Sequence, residues 1–126
     1  GVVDFDRDGQ PDFYIPQCVG KPLQADPARV NALFRNVDGI AVDVHRAACI
    51  DNDQWGQGVA IGDVDADGWP DVFVACFGQN SLWMNQGDGT FAKKELPQYA
   101  GADESMTVSA AIADITGDGL ADIIEV

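Results

Sequence analysis

The sequence predicts an all-β chain in which four-stranded antiparallel units follow one another in tandem. Three observations lead there: an acidic nine-residue loop that occurs three times, β-branched and aromatic runs beside it, and glycine turns at hairpin spacing. The loop reads DFDRDGQPD from Asp4, DVDADGWPD from Asp63 and DITGDGLAD from Asp114, with starts 59 (63 − 4) and then 51 (114 − 63) residues apart. A second mark travels with it. Leu33-Phe34-Arg35-Asn36 before Asp38-Gly39 matches Leu82-Trp83-Met84-Asn85 before Gly87-Asp88-Gly89.

The chain opens at Gly1 directly in a strand that runs into the first loop. From Asp12 to Leu33 is 21 residues, against 11 from Asp71 to Leu82, so the first unit carries an insertion of ten. It is expected within residues 19–30, where two of the six prolines cluster. In the second unit, residues 58–62 form the strand entering the loop, and residues 71–76 (DVFVAC) the strand leaving it. The latter run is β-branched and aromatic, and too short for a free-standing helix. Residues 81–85 alternate with period two, and Gly87-Asp88-Gly89 turns the chain into a fourth strand over residues 90–93. The third unit begins with Ala110, Ala111 and Ala113 before its loop and Ile123, Ile124 and Val126 after it. Small residues before the loops (Ala60, Gly62, Ala110, Ala111) suit an innermost strand crowded near an axis.

Four antiparallel strands per 50–60-residue unit point to the blades of a β-propeller, with a solenoid of sheets as the alternative. The units are expected at 1–57, 58–108 and 109–126, all within one domain. Two units and the opening of a third do not close a ring, and Val126 falls within a strand. The chain is therefore expected to be a fragment of a propeller.

Composition bounds the function. The apolar share of 46% and charged share of 22% are those of a globular chain. The net charge of −14, from 21 acidic and 7 basic residues, disfavours nucleic acid and acidic membrane surfaces as partners. No apolar run approaches the roughly 20 residues that span a bilayer, so no membrane insertion is expected. Cys18, Cys49 and Cys76 include no Cys-x-x-Cys, and His45 is the single histidine, which argues against zinc. A Cys18–Cys49 disulfide and three unbridged thiols both stay open.

The loops hold 11 of the 21 acidic residues. Calcium takes 6–8 hard oxygen ligands at about 2.3–2.6 Å. Alternate positions of a tight loop turn their oxygens inward, which assigns side-chain ligation to Asp4, Asp6, Asp8 and Asp12, to Asp63, Asp65, Asp67 and Asp71, and to Asp114, Thr116, Asp118 and Asp122. Gln10, Trp69 and Leu120 would contribute backbone carbonyls, and Gly9, Gly68 and Gly119 allow the turn. Carboxylates about 4 Å apart repel by roughly 1 kcal/mol in water and about 4 at an effective dielectric of 20, and a divalent cation reverses that sign. The bland alternative is an acidic turn with solvated carboxylates. Three recurrences of one spacing weigh against it. An EF-hand is excluded because its bidentate Glu position holds Ile15 and Val74 in two loops; Glu125 falls there in the third, but among strand residues.

The stretch GVAIGDVDADGWPDVFVACFG with NSLWMNQGDGTF resembles the FG-GAP/VCBS-type repeats of integrin-α-like β-propellers, most of all the ASPIC/UnbV-associated, cartilage-acidic-protein-like branch. The resemblance covers nearly the whole chain and implies seven blades, calcium in the blade loops, and extracellular adhesion or partner binding. The words FG-GAP themselves are absent, with Trp55-Gly56-Gln57-Gly58 in their place. Thr116 stands where an acid or amide is usual, and the turn after Asn36 is one residue shorter than its counterpart.

The function expected is a calcium-stiffened scaffold, extracellular, at the cell surface or periplasmic, binding a protein or glycan. No enzymatic role is expected: the paired carboxylates lie in the loops, and neither His45 nor Ser81, Ser105 or Ser109 has a catalytic context. Purely structural calcium is the alternative, as is an accessory domain of a secreted enzyme. Tyr14, Trp55, Trp69, Trp83 and Tyr99 are expected to pack between units more than to form a binding surface.

Overall fold

The computed structural model describes residues 1–18, 30–97 and 105–126. Among them are ten strands, β1 (Val2–Val3), β2 (Asp12–Ile15), β3 (Ala32–Val37), β4 (Ile40–Asp43), β5 (Trp55–Gly62), β6 (Asp71–Phe77), β7 (Ser81–Asn85), β8 (Phe91–Lys94), β9 (Ala110–Ala113) and β10 (Asp122–Glu125). They form two four-stranded sheets, β1-β2-β3-β4 and β5-β6-β7-β8, and the hairpin β9-β10. The described residues contain no helix. Every ladder between strands is antiparallel and lies within one unit. A solenoid would join successive units by parallel ladders, so this architecture is that of consecutive β-propeller blades.

β6 shows how the blades stack. Successive side chains point to opposite faces, and both faces are covered. Val72, Val74 and Cys76 join Val3, Phe5, Tyr14 and Leu33 of the first blade in one cluster. Phe73 and Ala75 join Leu82 and Met84 in another, against which Ala110, Ile112 and Ile123 of the third unit pack. Burial on both sides explains the continuous apolar run, each large side chain contributing about 1.5–3 kcal/mol. Phe13 and Ile15 in β2 occupy the places of Val72 and Val74, yet they are 40% and 47% exposed where the valines are 0%. Among the described residues, nothing covers that face of the first blade.

The inner strands stand side by side. A Cβ on Gly58 would come within 2.9 Å of the Val108 carbonyl oxygen, and one on Gly62 within 2.6 Å of Ile112. Small residues there admit β9 against β5, as the sequence suggested. One boundary moves: β5 starts at Trp55 and crosses the expected division between 57 and 58, with a bulge between Gly56 and Gly58. The bulge lets a glycine-containing stretch continue the ladder, with Trp55 opposite Phe77 and their rings edge-to-face at 6.1 Å. Tyr14 and Trp83 are buried between blades. Tyr99 and all but Val30 of the expected insertion lie outside the described residues.

The three cysteines are unbridged. Cys18 and Cys49 are exposed, whereas Cys76 is buried and its thiol is pushed up to about 11, chiefly by loss of solvent. A disulfide reagent is expected to titrate Cys18 and Cys49 within minutes in the native chain, and Cys76 only after unfolding. Rapid labelling of all three thiols would contradict this packing.

Candidate metal loops

Each acidic loop joins the inner strand of a blade to the next strand: β1 to β2, β5 to β6, and β9 to β10. Glycine at the sixth position has a positive φ in all three, 85° at Gly9, 92° at Gly68 and 89° at Gly119. The fourth position is also left-handed, at Arg7 (56°), Ala66 (60°) and Gly117 (77°). Only Gly117 hinted at this in the sequence, and the other two side chains adopt a conformation that costs about 1–2 kcal/mol.

The first aspartate closes the loop from inside. Asp4 Oδ2, Asp63 Oδ2 and Asp114 Oδ2 accept the amides of Gly9 (3.1 Å), Gly68 (2.8 Å) and Gly119 (2.9 Å). The fifth aspartate accepts the amide two residues on: Gln10 to Asp8 (2.9 Å), Trp69 to Asp67 (2.8 Å) and Leu120 to Asp118 (2.9 Å). At the third position, Asp6 accepts from Asp8 and Asp65 from Asp67, each at 3.3 Å. Thr116 instead donates its backbone amide to Asp122 at 3.0 Å.

The ninth position has a second task that spacing did not reveal. Asp71 is fully buried and accepts Val64 N–H on Oδ2 and Asn85 N–H on Oδ1, both at 2.8 Å. Asp12 does the same with Phe5 (3.1 Å) and Asn36 (2.8 Å). Each ties its loop to the β7 or β3 hairpin. Burial raises the pKa of both carboxyls, opposed by these amide bonds and reinforced by Asp6 and Asp8, or Asp65 and Asp67. Asp122 receives Ile115 and Thr116 amides in the open, which lowers its pKa.

Carboxylate oxygens gather in two loops. Those of Asp4, Asp6 and Asp8 lie within 4.8 Å of one another, as do those of Asp63, Asp65 and Asp71. A single hard cation can bridge oxygens at that separation. Asp4 Oδ1 is buried without a hydrogen-bond partner, an arrangement that a cation would relieve. Asp12 and Asp67 belong to neither trio, and the third loop's acids form none among the described residues. Thus the expected ligands converge only in part.

Residues absent from the expected set complete the loops. The second position is apolar throughout, and Phe5 is buried against Phe91 of the next blade, ring centroids 6.0 Å apart. Asn85 Nδ2 donates to the Phe5 carbonyl (2.8 Å) and to Pro70 (3.2 Å), fastening the second blade to the first loop. Trp69 lies under the Arg7 guanidinium, 4.7 Å from its carbon, so the first and second loops touch. Gln10 turns its side-chain oxygen to the Asp38 amide at 3.1 Å. The repetition of Asn36 and Asn85 at the end of a Leu-x-x-Asn mark in both units was the available signal.

No curated protein matches the chain in sequence. The family model described as FG-GAP-like repeat matches twice, over residues 4–74 and 63–125. Each match begins on the first aspartate of a loop and runs through the next loop into the strand that follows it. The chain belongs to the FG-GAP-like repeat family.

Proposed function

We propose that this chain is part of a calcium-stiffened, seven-bladed propeller of the ASPIC/UnbV-associated branch, which serves outside the cytoplasm as a protein- or glycan-binding scaffold. The observation that carries the calcium is the convergence of Asp63, Asp65 and Asp71, matched in the first loop by Asp4, Asp6 and Asp8 with a buried, unpartnered Asp4 oxygen. In the second loop Asp67 and the Trp69 carbonyl would add ligands, and in the first Asp12 and the Gln10 carbonyl. Asp114, Thr116, Asp118, Asp122 and the Leu120 carbonyl would form a third, weaker site. The branch assignment rests on residues 58–91, where the loop and the Asn-x-Gly-Asp-Gly hairpin occur together.

Calcium modules outside cells bind at about 10⁻⁴–10⁻³ M, so such loops fill there and empty in cytosol. The scaffold role includes no catalytic step. His45 Nδ1 is held 2.6 Å from Asp43, and Ser81 is buried with its hydroxyl donating to Asn52. Purely structural calcium is the second reading, favoured by the burial of Tyr14 and Trp83.

Calorimetric titration of the complete propeller with calcium, then with extracellular matrix proteins and glycans, tests this. Heat from calcium followed by saturable heat from a protein or glycan is expected. Heat from calcium alone supports the structural reading, and no heat from calcium refutes both.

A further inference from the structure

The first and second loops repeat the same aspartates, and in the first an arginine is ion-paired to two of them. Arg35 in β3 places Nε 2.6 Å from Asp6 Oδ2 and Nη2 3.2 Å from Asp8 Oδ2. Its equivalent in β7, one residue before the repeated asparagine, is Met84, packed in the apolar cluster between the second blade and the third unit. We infer that Arg35 is a built-in counter-ion of the first loop, which competes with calcium for Asp6 and Asp8 and makes this site fill after the second. The inference rests on the calcium reading above.

The guanidinium has open space beside it. Asp6 and Arg35 line one side of a cleft of about 510 Å³ between the first two blades, with Val44, Asp88 and Thr90 among its other walls. A divalent ion among Asp4, Asp6 and Asp8 would repel a guanidinium held against two of its ligands. The cleft into which Arg35 would withdraw is lined by a further carboxylate, Asp88. The unmodified loop is therefore already partly neutralised when metal-free, so a cation gains less by entering it. A unit charge about 5–6 Å from a divalent ion, screened as in water, weakens binding by roughly tenfold.

The amides of Gly9 and Gly68 report the two sites separately, because each donates to the first aspartate of its own loop. Following both by heteronuclear NMR during a calcium titration of the full chain, Gly68 is expected to reach its midpoint at about tenfold lower calcium than Gly9. Arg35→Met is expected to lower the Gly9 midpoint about tenfold and leave Gly68 in place. Arg35→Gln is the second variant should methionine disturb the blade, with the same expectation, and Arg35→Lys keeps the charge and stays near the unmodified midpoint. A Gly9 midpoint within twofold of the unmodified value in both neutral variants overturns the inference while calcium binding at Gly68 stands. Absence of any response at Gly68 overturns the calcium reading itself, and this inference with it.

Discussion

Asp71→Ala is expected to lower the stability of the chain by about 3–5 kcal/mol in chelator, and by more in calcium, where a ligand oxygen is lost as well. The Asp71 carboxylate is fully buried and accepts two backbone amides, from Val64 in its loop and Asn85 in the neighbouring hairpin. Hydrogen bonds to a charged group are worth about 1.5–3 kcal/mol each, and alanine leaves both donors without a partner. Asp71→Asn keeps one acceptor and turns an amide donor toward the other N–H, so an intermediate loss is expected. Asp65→Asn makes the contrast. Asp65 is exposed and, among the described residues, accepts the Asp67 amide at 3.3 Å, so its substitution is expected to matter in calcium and hardly at all in chelator. Urea unfolding of the three variants with and without calcium distinguishes a ligand that also braces the fold, Asp71, from one that serves the metal alone, Asp65. Equal, small effects of Asp71→Ala and Asp65→Asn in chelator would contradict the brace.

Chelation has the next largest expected effect. A ligand that binds only the folded state stabilises it by RT ln(1 + [L]/Kd). For a site of about 10⁻⁴ M at about 10 mM calcium this is about 2.7 kcal/mol, and a first loop about tenfold weaker adds about 1.4, so the two filled loops give about 4 kcal/mol. In a chain of this size the melting temperature is expected to fall by about 10–20 °C when chelator replaces calcium. Magnesium at the same concentration should restore little of it, since it retains its waters and requires stricter geometry. A melting temperature that ignores chelator would leave the −14 charge of the chain as ordinary surface charge.

Much of this arrangement is legible in the sequence because its physics is periodic. The run from Asp71 to Cys76 reads as a strand since a doubly covered strand needs apolar side chains on both faces. The loops read as one motif since their aspartates and glycine recur at one spacing in all three units, and the cation among them is the proposal made above. What escaped was relational. β5 begins at Trp55 because a bulge carries the ladder past Gly56 and Gly58, and a glycine-bearing stretch gives no sign of that. Asp12 and Asp71 read as ligands, but their two amide partners come from a hairpin as well as from the loop. Arg35 lies 27 residues from Asp8, so its ion pair is visible only once β3 folds back beside the loop. Phe5, Val64 and Ile115 were three apolar residues in acidic surroundings; Phe5 packs on Phe91 of the next blade and Val64 against the second apolar cluster, whereas Ile115 is exposed.

The central claim is that calcium sits among the loop carboxylates. A crystal of the chain grown in calcium, with a long-wavelength anomalous difference map, tests it most directly. A peak about 2.3–2.6 Å from oxygens of Asp63, Asp65 and Asp71 and from the Trp69 carbonyl is the expected result. A featureless map over both the Asp63 and Asp4 loops, their carboxylates satisfied by Gly68, Gly9 and neighbouring amides alone, would contradict it.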